Sequence, residues 1–262
     1  MDLQKLTAEV ARIAQEAGAF IRKEGASFDT AKIEYKGLND LVSYVDKGAE
    51  ERIVKGLSDL LPEAGFVTEE KTINKTGDVY NWIVDPLDGT TNFIHGLPAY
   101  SVSIALQQND ELVAGVVYEV NRDECFYAWK DGGAYLNGSR ISVSGNTEFS
   151  QALLATGFPY YNFELLEKYI SVFRELTKVC HGLRRVGSAA VDLAYVACGR
   201  FDGYFEYNLN SYDIAAGMVL VREAGGAATS FSGSNDSFST REILAGNRAL
   251  RLKMQEVINR YF

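Results

Sequence analysis

The chain has 262 residues, 47% hydrophobic and 23% charged, enough apolar material to fold as one large domain or two modest ones without disulfides or a structural metal. Its formal charge of −9, from 35 acidic against 26 basic side chains, disfavours nonspecific binding to nucleic acid or to an anionic membrane. A site for anionic substrates in such a chain must be made positive locally, as bound cations do. Three widely spaced cysteines, Cys125, Cys180 and Cys198, form no CxxC pair and read as reduced thiols. The two histidines, His95 and His181, are too far apart for a zinc site. The opening run MDLQKLTAEVARIAQEAG lacks the basic start and continuous apolar stretch of a signal peptide. Nothing approaches the ~18 apolar residues of a membrane span, so a soluble, cytoplasmic protein is expected.

In chain order, Leu3, Leu6, Val10, Ile13, Ala14, Ala17, Phe20 and Ile21 recur at helical spacing and predict an amphipathic helix over 3–23. A second helix is expected from Ser43–Asp46 to before Pro62, with Ala49, Ile53, Leu57 and Leu60 on one face. From Phe66 to about Val143 the apolar segments Trp82–Val84, Ser101–Leu106, Leu112–Tyr118 and Cys125–Trp129 are rich in β-branched and aromatic residues. The pairs Asn109-Asp110, Arg122-Asp123, Asp131-Gly132 and Asn137-Gly138 separate strands of an antiparallel meander or a set of hairpins. Beyond Ser144-Gly145-Asn146 short strands (Ala152–Thr156, Gly203–Tyr207, Ala227–Ser230, Glu242–Ala245) alternate with helices near 163–179, 188–198, 212–224 and 247–260. That alternation predicts an α/β half with a substantially parallel sheet. Residues 1–145 and 146–262 are therefore expected as two halves.

The stretch Asp85-Pro86-Leu87-Asp88-Gly89-Thr90-Thr91-Asn92-Phe93 follows the apolar run Trp82-Ile83-Val84, so it is expected to leave a strand as a tight turn. Asp85 and Asp88 on such a turn can converge on one point. The Leu87 carbonyl can face the same point, giving a hard-oxygen set suited to Mg²⁺. Taken alone, the two aspartates read equally well as turn formers. Two further acids stand in similar contexts. Glu69 and Glu70 end the short apolar run Phe66-Val67-Thr68, and Asp213 lies in Tyr212-Asp213-Ile214-Ala215-Ala216-Gly217. A solvated strand end and a helix cap are the plain alternatives.

DPLDGTTNF at 85–93, Glu69 upstream, and YDIAAG running into Gly217-Met218-Val219-Leu220-Val221-Arg222-Glu223-Ala224-Gly225-Gly226 together resemble the inositol monophosphatase family, and the similarity extends over nearly the whole chain. The resemblance implies an α+β / α/β fold, a layered αβαβα sandwich of the sugar-phosphatase kind. Its N-terminal half would carry an antiparallel sheet with two long helices, its C-terminal half mixed α/β structure. It implies a first Mg²⁺ held by Glu69, Asp85 and the Leu87 carbonyl, and a second held by Asp85, Asp88 and Asp213. A weaker third, largely water-coordinated, would sit near Glu69.

Further positions match one by one. Lys36 and the Asp46/Glu50 pair match supporting residues, with Asp46 orienting Thr90. The plain reading of Asp46 and Glu50 is a first helical turn in which acids suit the dipole. Gly187-Ser188-Ala189 opens a helix whose N–H groups can meet substrate oxygens, although small residues also serve close packing. Glu206 matches a position that binds substrate hydroxyls, and its alternative is a solvent-facing strand charge. With Asp88, Gly89, Thr90 and Asp213 these residues make the implied substrate contacts. The chain departs at Tyr212, where the family often has Trp, and at Ser188, where many relatives have Thr.

The implied chemistry is Mg²⁺-dependent hydrolysis of a small polyol phosphate, myo-inositol monophosphate first. Water would attack in line, with Thr90, Asp46 and Glu69 handling its proton and no phosphoenzyme forming. A homodimer and inhibition by Li⁺ come with the resemblance. Fructose-1,6-bisphosphatase, histidinol-phosphate phosphatase and 3′-phosphoadenosine-5′-phosphate phosphatase are rivals within the superfamily. Thr91-Asn92-Phe93 favours the inositol type, since nucleotide-acting relatives often have a Lys-Glu-Phe run there. A noncatalytic partner-binding protein on the same fold is the rival of another class. Paired carboxylates alone would also suit a glycosidase, which leaves the ordered motifs unexplained. Arg184-Arg185 is too small a basic cluster for a nucleic-acid interface.

Overall fold

The computed structural model describes residues 1–28, 33–37, 40–159 and 163–262, with the backbone alone at 33–37 and 40–42. Helix α1 (Leu3–Gly25) begins at Asp2, whose carboxylate accepts from the Lys5 N–H, and buries Leu6, Val10, Ile13, Ala14, Ala17 and Ile21. A short antiparallel pair, β1 (Ile33–Gly37) with β2 (Asp40–Ser43), leads into α2 (Tyr44–Leu60). Ser43 caps α2 and Asp46 closes a capping box with it.

The larger sheet has seven strands in chain order: β3 (Gly65–Thr68), β4 (Tyr80–Asp88), β5 (Ser101–Gln108), β6 (Glu111–Glu119), β7 (Glu124–Trp129), β8 (Gly133–Leu136) and β9 (Ser139–Ile141). β3 runs parallel to β4, and β4 onward is the antiparallel meander expected. Its turns fall on the marked pairs, with Asn109, Asp123, Asp131 and Asn137 in the left-handed region that Asn and Asp tolerate.

The smaller sheet has five strands, ordered β11 (Gly182–Arg184), β10 (Leu153–Thr156), β12 (Gly203–Tyr207), β14 (Glu242–Gly246), β13 (Ala227–Thr229). Only β10 pairs in parallel, with β11 and β12, whereas β14 is antiparallel to both neighbours. The sheet is thus mixed rather than substantially parallel. β13 returns to β14 through a short connection carrying only a helical turn, α7 (Ser237–Thr240), and antiparallel pairing needs no longer crossover.

The remaining helices complete five layers. α1 and α2 cover one face of the seven-stranded sheet. α5 (Ala189–Ala197) and α6 (Ser211–Glu223) lie between the sheets, and α4 (Leu166–Val179) and α8 (Arg248–Ile258) cover the far face of the smaller one. Strand alternation assigns the faces. In β4, Trp82 and Val84 pack toward α1 and α2, while Ile83 joins Ala105, Val117 and Phe126 against Leu193, Ala194, Ala216 and Leu220 of the middle helices. The implied αβαβα sandwich is the observed architecture. No helix among the described residues is long and apolar enough to cross a membrane.

Candidate active site

The acid-bearing run 85–88 stays inside β4 instead of leaving it as a turn. Asp85 is opposite Ser103 and Asp88 opposite Ser101, so three steps on β4 meet two on β5 and the strand bulges. Pro86 has no N–H for the ladder, which makes this the place where pairing can slip. Leu87 anchors the bulge with a fully buried side chain, and its N–H donates to Asp85 Oδ1 at 3.0 Å. Gly89, at φ 95°, then turns the chain into α3 (Thr90–Ile94), a conformation that a side chain would strain.

Parallel pairing brings the next acid alongside. Thr68 of β3 is in register with Val84, so Glu69 follows directly beside Asp85, with its N–H donating to the Val84 carbonyl at 3.2 Å. Glu50 of α2 holds this segment from behind. One of its oxygens accepts from Thr68 Oγ1 (2.9 Å), Thr72 N (2.7 Å) and Thr72 Oγ1 (2.8 Å), and the other from Glu70 N (2.8 Å). Asp46, fully buried, does two things at once. Oδ2 accepts from Ser43 N (2.8 Å) and Ser43 Oγ (2.6 Å), and Oδ1 lies 2.8 Å from Thr90 Oγ1, which also stands 3.0 Å from the Leu87 carbonyl. The plain capping role and the Thr90-orienting role of Asp46 are the same geometry.

The middle helices supply the opposite wall. Asp88 Oδ2 accepts from Ser188 Oγ (2.6 Å) and from the Ala190 N–H (2.7 Å) at the start of α5, where an anion suits the helix dipole. Two N–H groups of this helix start are thereby committed, since Val191 donates to Ser188 Oγ. Asp213 sits in the first turn of α6 and accepts from the Asn210 N–H at 2.6 Å. Asn92 ties the two walls together, donating to the carbonyls of Ala99 (2.7 Å) and Val186 (2.9 Å).

Glu69, Asp85, Leu87, Asp88, Gly89, Thr90, Gly187, Ser188, Ala189, Glu206 and Asp213 all line one cavity of about 330 Å³. Asp46 and Glu50 stand behind it. The side chain of Lys36 lies outside the described residues. Glu206 on β12 is buried rather than solvent-facing. Lys71, Gly157, Phe158, Arg185, Asn208 and Asn210 share the lining without belonging to the site residues expected from the sequence. Arg185 carried a signal, a cation two residues before the glycine that opens α5. Gly157 carried none, because its need is set by a distant side chain: a Cβ there would stand 1.9 Å from Glu206 Oε2.

These acids sit in an environment hostile to their charge. Asp85 is held well above the usual carboxylate range by burial and then by Glu69, Asp88 and Asp213. Burial pushes Asp88 up to about 6, against the bonds from Ser188 and Ala190 and the charge of Arg185. Asp213 rises to about 7 through burial and Asp88, and Glu206 to about 8 chiefly through burial. Hard oxygen donors that raise one another in this way fit a divalent cation in chemistry and in charge. Among the described residues, no three His, Cys, Asp or Glu side chains are grouped as a ready-made metal site. Asp85, Asp88 and Asp213 instead each have an oxygen on a backbone N–H. Glu69, Asp85, Asp88 and Asp213 nonetheless line the same cavity.

A sequence description of the inositol monophosphatase family matches residues 2–262. The chain is 43% identical over 237 residues to the Nus factor SuhB of Escherichia coli K12, covering 90% of this chain and 89% of that protein. It is 39% identical over 246 residues to the inositol-1-monophosphatase of Rhizobium meliloti, covering 94% and 92%. The solved structure of extragenic suppressor protein suhB from Bartonella henselae superposes with a TM-score of 0.91 at 38% identity, covering 97% of this chain and 98% of the other. The chain belongs to the inositol monophosphatase family.

Proposed function

We propose that the chain is a Mg²⁺-dependent phosphatase acting on a monoester of a small polyol, myo-inositol monophosphate first. The observation that carries this is the convergence of Glu69, Asp85, Asp88 and Asp213, from three distant segments, on one cavity. Glu69, Asp85 and the Leu87 carbonyl would hold one ion, and Asp85, Asp88 and Asp213 a second, with a third near Glu69. When bound, these ions would offset the acidic charge, bind phosphate oxygens and make water a competent nucleophile near neutral pH.

The chain's own residues handle the rest. Thr90 Oγ1 takes the proton of the attacking water as Asp46 Oδ1 receives the Thr90 proton, a relay fixed by their 2.8 Å contact. Glu69 assists from the neighbouring strand end. Asp46 keeps its orientation because both Ser43 donors bind its other oxygen. Glu206 accepts a substrate hydroxyl, and Gly187, Ser188 and Ala189, ahead of the committed Ala190 and Val191 N–H groups, contact the phosphate.

Initial rates on inositol monophosphate, fructose-1,6-bisphosphate, histidinol phosphate and 3′-phosphoadenosine-5′-phosphate, with and without Mg²⁺, test this reading. Inositol monophosphate should give the highest kcat/KM and no turnover without the cation. Preference for another ester moves the chain to that branch, and no turnover on any sinks the enzyme. A homodimer and inhibition by Li⁺ belong to the same proposal. A second reading, a chain that works through a partner, draws on the relatives named Nus factor SuhB. It gains ground if turnover is absent while the fold is intact.

A further inference from the structure

Tyr204 and Glu206 are two residues apart on β12, so they project from the same face of the sheet, toward α5 and α6, while Phe205 and Tyr207 face α4 and α8. Both are deeply buried, and the Tyr204 hydroxyl donates to Glu206 Oε2. On its other side the Glu206 carboxylate rests on Gly157, where an added Cβ would stand 1.9 Å from Oε2, 2.1 Å from Cδ and 2.2 Å from Oε1. The carboxylate is clamped between one hydroxyl and one bare backbone. Tyr204 is not among the residues that line the cavity. Burial, with Glu206 and Asp192 near, holds its phenol well above the ordinary range, so it remains a donor.

We propose that Tyr204 is a positioning residue for substrate selection. By fixing Glu206 against Gly157, it makes the cavity favour esters that carry a free hydroxyl near the phosphate over esters that carry none. This rests on the reading of Glu206 as the acceptor for that hydroxyl. With Tyr204→Phe the ring still packs, but the carboxylate loses its donor and can turn from the bound hydroxyl.

The test measures kcat and KM with inositol 1-phosphate and with phenyl phosphate, which has no hydroxyl, in the full-length protein with Mg²⁺. Tyr204→Phe should raise KM for inositol 1-phosphate about tenfold, the scale of losing one hydrogen bond, and leave kcat/KM for phenyl phosphate within about twofold. In a Glu206→Ala background the same change should leave the ratio of the two kcat/KM values unaltered, because Tyr204 then has no side-chain acceptor to hold. Gly157→Ala, pressing on Glu206 from the opposite side, should lower the same ratio, and an unchanged ratio there overturns the clamp. Equal losses on both esters, or an unchanged ratio in Tyr204→Phe, overturn the proposal. A wild-type chain that hydrolyses neither ester sinks the phosphatase reading instead. Crystal structures of wild type and Tyr204→Phe then judge the clamp, which is overturned if Glu206 keeps its place without the hydroxyl.

Discussion

Asp88 shows how one side chain serves two ends. Its Oδ2 carries the Ser188 and Ala190 bonds that join β4 to α5, while its charge belongs to the acid cluster. Asp88→Asn or Asp213→Asn should lower kcat by about 100-fold or more, the scale of losing an electrostatic contact to the transition state. The metal-free melting temperature should hold or rise, since one repelling charge is gone. Wild-type kcat in purified Asp88→Asn would defeat the ligand assignment. Asp192 on α5 is a different case. It is buried, its Oδ1 has no hydrogen-bond partner among the described residues, and burial with Glu206 and Asp88 nearby raises its pKa well above the usual range. A carboxyl whose folded pKa stands above its unfolded value costs nothing in acid, and its cost grows as pH climbs from about 4 toward the folded pKa. Asp192→Asn should therefore gain on wild type in melting temperature between pH 5 and pH 8, by about 3 °C or more. A difference that stays flat with pH would show that Asp192 does not carry this burden.

Among the elements, those with a strong period were legible and those defined by contact were not. The 3.6-residue stripe of α1 and the Asn and Asp turns of the meander announce themselves locally. The mixed order of the smaller sheet does not, because the choice between parallel and antiparallel neighbours for β14 is made by a short connection and not by β14's own residues. At 85–88 the residues predict a turn where the strand bulges, because Pro-x-Asp-Gly suits both. Of the site, Glu69, Asp85, Asp88 and Asp213 were readable as ordered motifs, whereas Arg185 and Gly157 acquire meaning only from residues far along the chain. The meeting of α5 and α6 is equally hidden. Gly217 allows it: a Cβ there would stand 2.4 Å from Leu193 Cβ, an atom that no rotamer can move. Gly115 does the same for α6 against β6, where a Cβ would lie 2.7 Å from the Ala216 carbonyl. Gly217→Ala should cost about 1–3 kcal/mol by denaturant unfolding. A neutral result would mean the two helices can part without penalty.

For the molecule as a whole, the raised acids link stability to pH and to cations. Asp88 near 6, Asp213 near 7 and Glu206 near 8 all bind protons more tightly folded than unfolded, so the metal-free protein should lose stability as pH rises from 5 to 8. Bound as proposed, Mg²⁺ would replace the protons on Asp88 and Asp213, so the rise in melting temperature that it produces should be larger at pH 8 than at pH 6. Thermal unfolding at both values with and without the ion checks it, and an equal rise at both would break the link.

The middle helices hold both sheets and also bear Asp213 and the Ser188 contact to Asp88. A chain severed near residue 145 would strip the seven-stranded sheet of its cover by α5 and α6, bare the apolar faces of those helices, and leave neither fragment a full set of acids. Such halves have cause to find each other again, and phosphate release regained on mixing them would report their reunion.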